Sequence, residues 1–432
     1  MLNWIWLGLV LLSVILGGLS GQLEPVTKAA FEACEKAVMG LALPMVGIFA
    51  LWLGIMRLAE KSGLIEILAR ALRPLMRFLF PEVPADHPAM GAMVMNMAAN
   101  MLGLGNASTP LGLRAMQHLE RLNPHPGTAT NAMCTFLAIN TSSIQLIPAT
   151  AVAILAAAGA ANPTSIIGTA FFATLCSTVV GITAVKVLQN LPFFAAPPAS
   201  ASLPASGPEA PEEPAAAPLA PLSLPRKLLL AAFAGFFAVM AWRFAMQPAE
   251  AARGGLIASV NAISYLAIPF MLAFFPLYAA LRKVPVYEEF VEGAKEGFQV
   301  AIRIIPYLVA ILVAVGMFRA AGGIQMLTSF LKPVFAPIGF PAELLPLVLM
   351  RPLSGSGANG IFAELVSANG ADSLLAKMGA SIMGSTETTF YVLAVYFGSI
   401  AIRRTRHAVA AGLLADIAGV AASVAICNLV FR

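Results

Sequence analysis

The sequence predicts an all-α polytopic membrane protein, with about nine transmembrane helices and two re-entrant hairpins arranged as two inverted repeats. Three observations predict it. Hydrophobic residues make up 59% of the 432-residue chain and charged residues only 11%, too little charge to cover a soluble fold of this size. The apolar residues fall in blocks of about 20, the length that crosses a hydrocarbon core. The few polar residues inside those blocks are clustered, as expected where each polar group in lipid needs a partner.

The first block, residues 2–20, has no Lys or Arg ahead of Trp4-Ile5-Trp6, so it reads as a retained helix rather than a secretory signal. Helices are expected near 38–57, 132–157 and 165–188, then 228–247, 256–281, 299–318, 378–401 and 408–430. The Gly-rich segments near 88–107 and 341–362 are short and interrupted by Gly, Pro and Asn, which suits re-entrant hairpins. The amphipathic stretches 62–80 and 286–298 suit the membrane interface.

Residues 195–225 break the pattern. They are rich in Pro, Ala and Ser and cannot bury a core, so they read as an extended linker between a membrane domain at 1–194 and another at 226–432. The two halves repeat one order of features. Pro44, Gly54 and Arg57 match Pro306, Gly316 and Arg319 in spacing. An amphipathic stretch then reaches Pro74 in one half and, through GGIQMLTSFLKP, Pro333 in the other. A Gly-rich segment, a helix with a polar centre and a closing apolar helix follow in both.

The net charge of +5 reflects loop Lys and Arg, and no basic run is interleaved with aromatics, so no nucleic-acid partner is expected. Arg57, Lys61, Arg70, Arg73 and Arg77, then Arg114 and Arg121, then Arg403, Arg404 and Arg406 all fall on one side if the N-terminus is inside and the C-terminus outside. Arg319 and Lys332 depart from that pattern. With nine crossings the two cores are inverted relative to each other, an arrangement found in many secondary transporters. The four cysteines and four histidines form no metal motif, and no cofactor is expected. His87, His118, His125 and His407 read as solvated loop residues.

Four polar clusters are candidates for solute binding. The first is Asn96, Asn100 and Asn106, with Ser108 and Thr109. Asn96 and Asn100 share a helix face, and Gly103, Gly105 and Pro110 free backbone groups beside them. The second is Asn140, Thr141, Ser142 and Ser143, with Gln145 beyond. For both, interhelical hydrogen bonding or back-bonding to helix carbonyls is the alternative. The third is Ser385, Thr386 and Glu387. A carboxylate inside a membrane helix can bind a solute donor, couple to an ion or form an ion pair, with Arg351 a candidate partner. Asp416 in the last helix is a second ion-coupling candidate. The fourth is Arg351, Ser354, Ser356 and Asn359 in a Gly-rich segment. Arg351 can hold an anionic group, and the segment lacks the GKS or GKT of a P-loop.

Longer motifs carry a resemblance. N-x-x-x-N-x-L-G-x-x-N-A-S-T-P and F-x-x-x-N-T-S-S-I-Q-L-I-P resemble bacterial spore maturation protein A. F-V-E-G-A-K-E-G-F, R-P-L-S-G-S-G-A-N-G and G-S-T-E-T-T-F-Y-V resemble spore maturation protein B. The chain is similar to a fusion of the two, within the group that carries a nucleoside-recognition or gate domain. That domain is similar to parts of concentrative nucleoside transporters and of ferrous-iron transport protein B. The resemblance implies a location in the bacterial cytoplasmic membrane and a transporter-like fold. In the nucleoside transporters a G-Q-T-E hairpin contributes substrate contacts. Gly384-Ser385-Thr386-Glu387 is similar, with Ser in place of Gln, and is expected here on a helix.

The expected function is therefore secondary transport of a small polar solute, nucleoside-like or anionic, coupled to Na⁺ or H⁺. A non-transporting envelope scaffold is the alternative. No enzyme motif is present. Membrane lipid is the expected surroundings, and homo-oligomerisation is compatible with the sequence.

Overall fold

The computed structural model describes residues 2–103, 105–142, 145–195, 222–248, 255–323, 326, 329 and 339–432. Among the described residues there are helices and no strand, with one isolated bridge between Thr128 and Arg404.

The first half runs α1 (Leu2–Leu19), α2 (Leu23–Glu35), a seven-residue π segment (Lys36–Ala42), α3 (Leu43–Lys61), α4 (Leu64–Leu79), α5 (Pro88–Met101), α6 (Gly105–Arg121), α7 (Asn131–Ser142), α8 (Ala149–Ala157) and α9 (Ile166–Leu188). The second runs α10 (Leu224–Ala245), α11 (Gly255–Leu281), α12 (Val286–Ala320), α13 (Leu345–Met350), α14 (Gly355–Asn369), α15 (Leu374–Ser385), α16 (Thr389–Ser399) and α17 (Ala408–Phe431). Among the described residues, six helices are long and apolar enough to cross a membrane, and Trp6–Leu19 is a shorter apolar one. Their outward faces carry large hydrophobic side chains such as Leu19, Val239 and Ile417, the surface expected against lipid.

The structure corrects several expectations. The polar-centred helices expected as continuous at 132–157 and 378–401 are both interrupted: α7 stops at Ser142 and α8 starts at Ala149, while α15 stops at Ser385 and α16 starts at Thr389. The interfacial stretch 286–298 and the span 299–318 are one 35-residue helix that tolerates Pro306. The helix expected at 38–57 starts fifteen residues earlier, continuing from Leu23 through the π segment. The Gly-rich segment 88–107 is the first arm of a helical hairpin, α5–α6, which turns at Gly103 with φ +76° and extends to Arg121. His118 lies within α6 and His407 is fully buried, so neither is a solvated loop residue. The repeat element GGIQMLTSFLKP, with Lys332 and Pro333, and most of the 195–225 linker lie outside the described residues.

The halves interlock. Helix α12 lies along α3, α2 and α1, and α17 packs along α9 and α7. Small residues let α12 touch α3 backbone to backbone. A methyl on Gly293 would come within 2.6 Å of the Leu53 carbonyl oxygen, and one on Gly297 within 2.7 Å of Ala50 Cα. Arg57 closes that crossing by donating to Glu289 and Glu296, each at 2.7 Å. Arg319, the cation that departs from the charge pattern, pairs with Glu364 at 2.6 Å.

Candidate functional site

Each helix interruption begins with the chemistry of its own last turn. At the end of α7 the hydroxyls of Thr141 and Ser142 donate back to the Ala138 carbonyl at 3.0 and 2.9 Å. Pro148 then restarts the chain as the N-cap residue of α8. The freed carbonyls are taken up from elsewhere. Thr174 and Thr178 donate to the Ser142 oxygen, and the Glu387 backbone N–H donates to the Thr141 oxygen at 3.0 Å. At the second interruption Thr386 is extended, with φ −136° and ψ 155°. Arg351 Nη2 donates to the Met383 oxygen at 2.9 Å and to the Thr386 oxygen. A guanidinium on the last carbonyls of a helix meets both their hydrogen-bond demand and their partial negative charge. The two interruptions, one from each half, therefore touch.

Beside that contact lies a cavity of about 560 Å³. Its polar lining includes Asn100, Asn140, Gln145, Arg351, Ser354, Ser356, Asn359, Glu387 and Thr388. Gln145 Nε2 donates to Glu387 Oε1, and Glu387 Oε2 stands 3.7 Å from Arg351 Nη2. Ser354 caps α14 by accepting from the Gly357 N–H at 3.0 Å. The cavity is bounded by the starts of α8, α14 and α16 and by the ends of α5, α7 and α15. Positive and negative helix ends thus border one space. Such a wall offers hydrogen-bond donors and acceptors together.

A second layer holds the asparagines in place. Asn100 donates to Asn140 Oδ1 at 2.9 Å, and the Tyr396 hydroxyl donates to the same oxygen at 3.3 Å. Asn96 is fully buried behind them. It donates to the Ser108 carbonyl at 2.7 Å and to the Tyr396 oxygen at 3.3 Å. The Tyr396 ring stacks on Phe136 with centroids 6.0 Å apart, and Gly112 leaves room for its hydroxyl. Tyr396 belongs to the second half and the asparagines to the first, so this network also spans the halves.

Of the residues singled out by sequence, Asn100, Ser108, Thr109, Asn140, Gln145, Arg351, Ser354, Ser356, Asn359 and Glu387 line the cavity. Asn96 supports it from behind. The side chains of Thr141, Ser142, Ser385 and Thr386 turn onto helix carbonyls. Asp416 is buried behind the second interruption, where Oδ2 accepts from the Thr389 hydroxyl at 2.7 Å. Asn106 lies in the first turn of α6, its side chain outside the described atoms, and Ser143 lies outside the described residues. Sequence reasoning singled out Thr388 beside Glu387 and passed over Tyr391 and Tyr396. Thr388 is the residue before α16, and Tyr391 and Val392 in its first turn line the cavity beside Glu387. Among the described residues no group of three or more His, Cys, Asp or Glu is placed to hold a metal.

The sequence pattern of the nucleoside-recognition (Gate) family matches residues 42–194 and 301–403. The chain is 46% identical over 172 residues to spore maturation protein B of Bacillus subtilis, which covers 40% of the chain and 97% of that relative. It is 41% identical over 182 residues to spore maturation protein A of the same organism, which covers 42% of the chain and 92% of the relative.

Proposed function

The chain belongs to the nucleoside-recognition (Gate) family of membrane proteins, and from that premise we propose that it is a secondary transporter of a small polar solute, nucleoside-like or anionic, coupled to Na⁺ or H⁺. The observation that carries this reading is the meeting of two interrupted helices, one from each half, at a polar cavity of about 560 Å³. Interrupted helices that meet in this way are the usual solute sites of secondary transporters. The volume falls inside the range of about 300–1,000 Å³ typical of small-molecule sites. Asn100, Asn140, Gln145, Arg351 and Glu387 would contact the solute, and Glu387 or Asp416 would couple the ion.

The finer topology belongs to the same reading. The six long apolar helices, Trp6–Leu19 and the two interrupted helices together make nine crossings. The N-terminus then lies inside a bacterial cytoplasmic membrane and the C-terminus outside, with repeats at 1–194 and 226–432 inverted about the 195–225 linker. The shared order of hairpin, interrupted helix and closing helix in both halves supports that repeat.

The test is thermal unfolding of the full chain in detergent against nucleosides, nucleobases, dicarboxylates and amino acids, with Na⁺, with K⁺ or at low pH. A ligand at about 100 times its Kd stabilises by about 2.7 kcal/mol. A ligand-specific shift that disappears in Glu387→Gln supports the reading. The names of the two relatives favour a second one, a non-transporting scaffold in an envelope or spore-maturation process. It predicts no shift from any solute, and Asn100→Ala and Glu387→Ala variants that lose nothing but stability.

A further inference from the structure

Asp416 stands in the middle of α17, 5% exposed, on the side of the second interruption that faces away from the cavity. Its Oδ2 accepts from the Thr389 hydroxyl at 2.7 Å. Its Oδ1 is buried and has no hydrogen-bond partner among the described residues. A carboxylate oxygen in that position loses its hydration with nothing in return. The charged groups near Asp416 are Arg351 and Glu387. Arg351 already faces Glu387 and gives Nη2 to two carbonyls. One guanidinium therefore serves two carboxylates, and the second needs a positive charge from elsewhere.

The packing limits what can supply it. A methyl on Gly412 would come within 2.8 Å of Thr389 Cγ2, and one on Gly419 within 2.8 Å of Thr386 Cγ2 and 3.0 Å of the Ser385 oxygen. Helix α17 thus lies directly on residues 385–389, close packing that favours a proton over a metal cation, which collects several oxygen ligands. A proton needs no space.

We propose that Asp416 is a proton-binding site, and that its protonation holds the second helix interruption closed behind the cavity. With the proton on, the carboxyl is neutral and tolerates burial. With the proton released to water, only the O–H bond is broken, and the buried charge then demands donors. Water entry or movement of Arg351 supplies them, and either one loosens residues 386–388 and shifts Glu387 against Gln145. Glu387 then meets the solute and Asp416 holds the coupling proton, the two joined through Thr389. The coupling role rests on the transport reading, while the proton site itself does not.

The test uses the full chain in lipid vesicles, read by infrared spectroscopy and thermal unfolding across pH, with and without Na⁺. The expected spectrum has a protonated-carboxyl band at neutral pH that is lost in Asp416→Asn and kept in Glu387→Gln. The folded state then holds a proton that the unfolded chain has released, so stability falls as pH rises toward the folded-state value. Asp416→Asn abolishes that fall. If that variant does not fold, Thr389→Val serves instead, since losing the one donor to the carboxylate moves the band and the pH dependence to higher pH. No carboxyl band at neutral pH, or a pH dependence unchanged in both variants, overturns the site. Stabilisation by Na⁺ that requires Asp416 overturns the proton in favour of a metal cation. Band and pH dependence intact, without uptake of any solute, keep the proton site and defeat the transport reading instead.

Discussion

Two of the helix contacts that join the halves of this protein obey opposite rules. At the first, α12 lies on α3 through glycines, with backbone against backbone, and Arg57 pairs with Glu289 and Glu296 at its edge. At the second, the interruptions after Ser142 and Ser385 meet through carbonyls, amides, a guanidinium and a carboxylate around a cavity. In lipid there is little hydrophobic gain between helices, so close van der Waals packing is what holds the first crossing. At the second crossing that packing is given up for backbone groups that a solute or water can address. On the proposed transport reading, one crossing is a fixed support and the other is where the molecule changes.

The largest effect should come from attacking the support. Gly297→Leu puts a side chain where even a methyl has no room against Phe49 and Ala50. Overpacking of this kind costs about 1–3 kcal/mol where a side chain can yield, and backbone yields less. The expected outcome is loss of monodisperse protein on size-exclusion chromatography in detergent. A well-folded variant with an unchanged thermal midpoint would mean that α3 and α12 are not held by that contact.

Next in size is Arg351→Met. It leaves the Met383 and Thr386 carbonyls without their donor and Glu387 without its cation. Glu387 is 29% exposed, so the loss is set by the two buried carbonyls, and hydrogen bonds from a charged group contribute about 1.5–3 kcal/mol. Glu387→Gln should cost far less, because its side-chain oxygen can still accept from Gln145. Thermal unfolding of the two variants side by side reads the difference. Equal losses would show that the carboxylate, not the guanidinium, organises the interruption.

The support and the mobile crossing also differ in how legible they are. The uninterrupted apolar runs at 165–188 and 408–430 become Ile166–Leu188 and Ala408–Phe431, because a long apolar stretch in lipid has no other way to satisfy its backbone. The glycines of the α3–α12 contact stand in plain view at helical spacing. The interruption at Thr386 to Thr388 does not, since neither Gly nor Pro stands within it. It is imposed by partners distant in sequence, Arg351 on the carbonyls and Thr141 on the Glu387 amide. Polar residues that share a sequence cluster also part company in space. Glu387 enters the cavity while its neighbours Ser385 and Thr386 turn to carbonyls, a choice made by backbone geometry that composition does not reveal. His407 is the reverse case. Its place between helices reads as exposed, yet its ring is buried against Phe194. Burial without a partner, beside Arg406 and Lys186, lowers its pKa to about 4 and keeps it neutral.

A smaller perturbation tests whether the asparagine layer belongs to the mobile crossing. Tyr396→Phe keeps the ring on Phe136 and removes hydrogen bonds to Asn96 and Asn140. Each lost bond costs about 0.5–1.5 kcal/mol. Stability should fall by about 1–3 kcal/mol for the two bonds, and any ligand-induced thermal shift should shrink because the Asn140 oxygen keeps only its bond from Asn100. A full ligand shift in Tyr396→Phe would separate this layer from the binding surface.

The smallest effect returns to the support. Arg57 reaches both Glu289 and Glu296 at 2.7 Å, which resembles a clamp on the α3–α12 crossing. Yet the Glu296 side chain is 48% exposed, and exposed pairs contribute about 0.2–1 kcal/mol. Glu296→Gln should therefore cost a few tenths of a kcal/mol at low salt and nothing measurable at high salt, where exposed pairs are screened. Glu289, 24% exposed and bonded to Arg57 Nε, should cost more and keep more of its effect in salt. If Glu296→Gln matched Gly297→Leu in severity, the crossing would be held by charge rather than by packing. The contrast drawn between the two crossings would then fail at its firmer end.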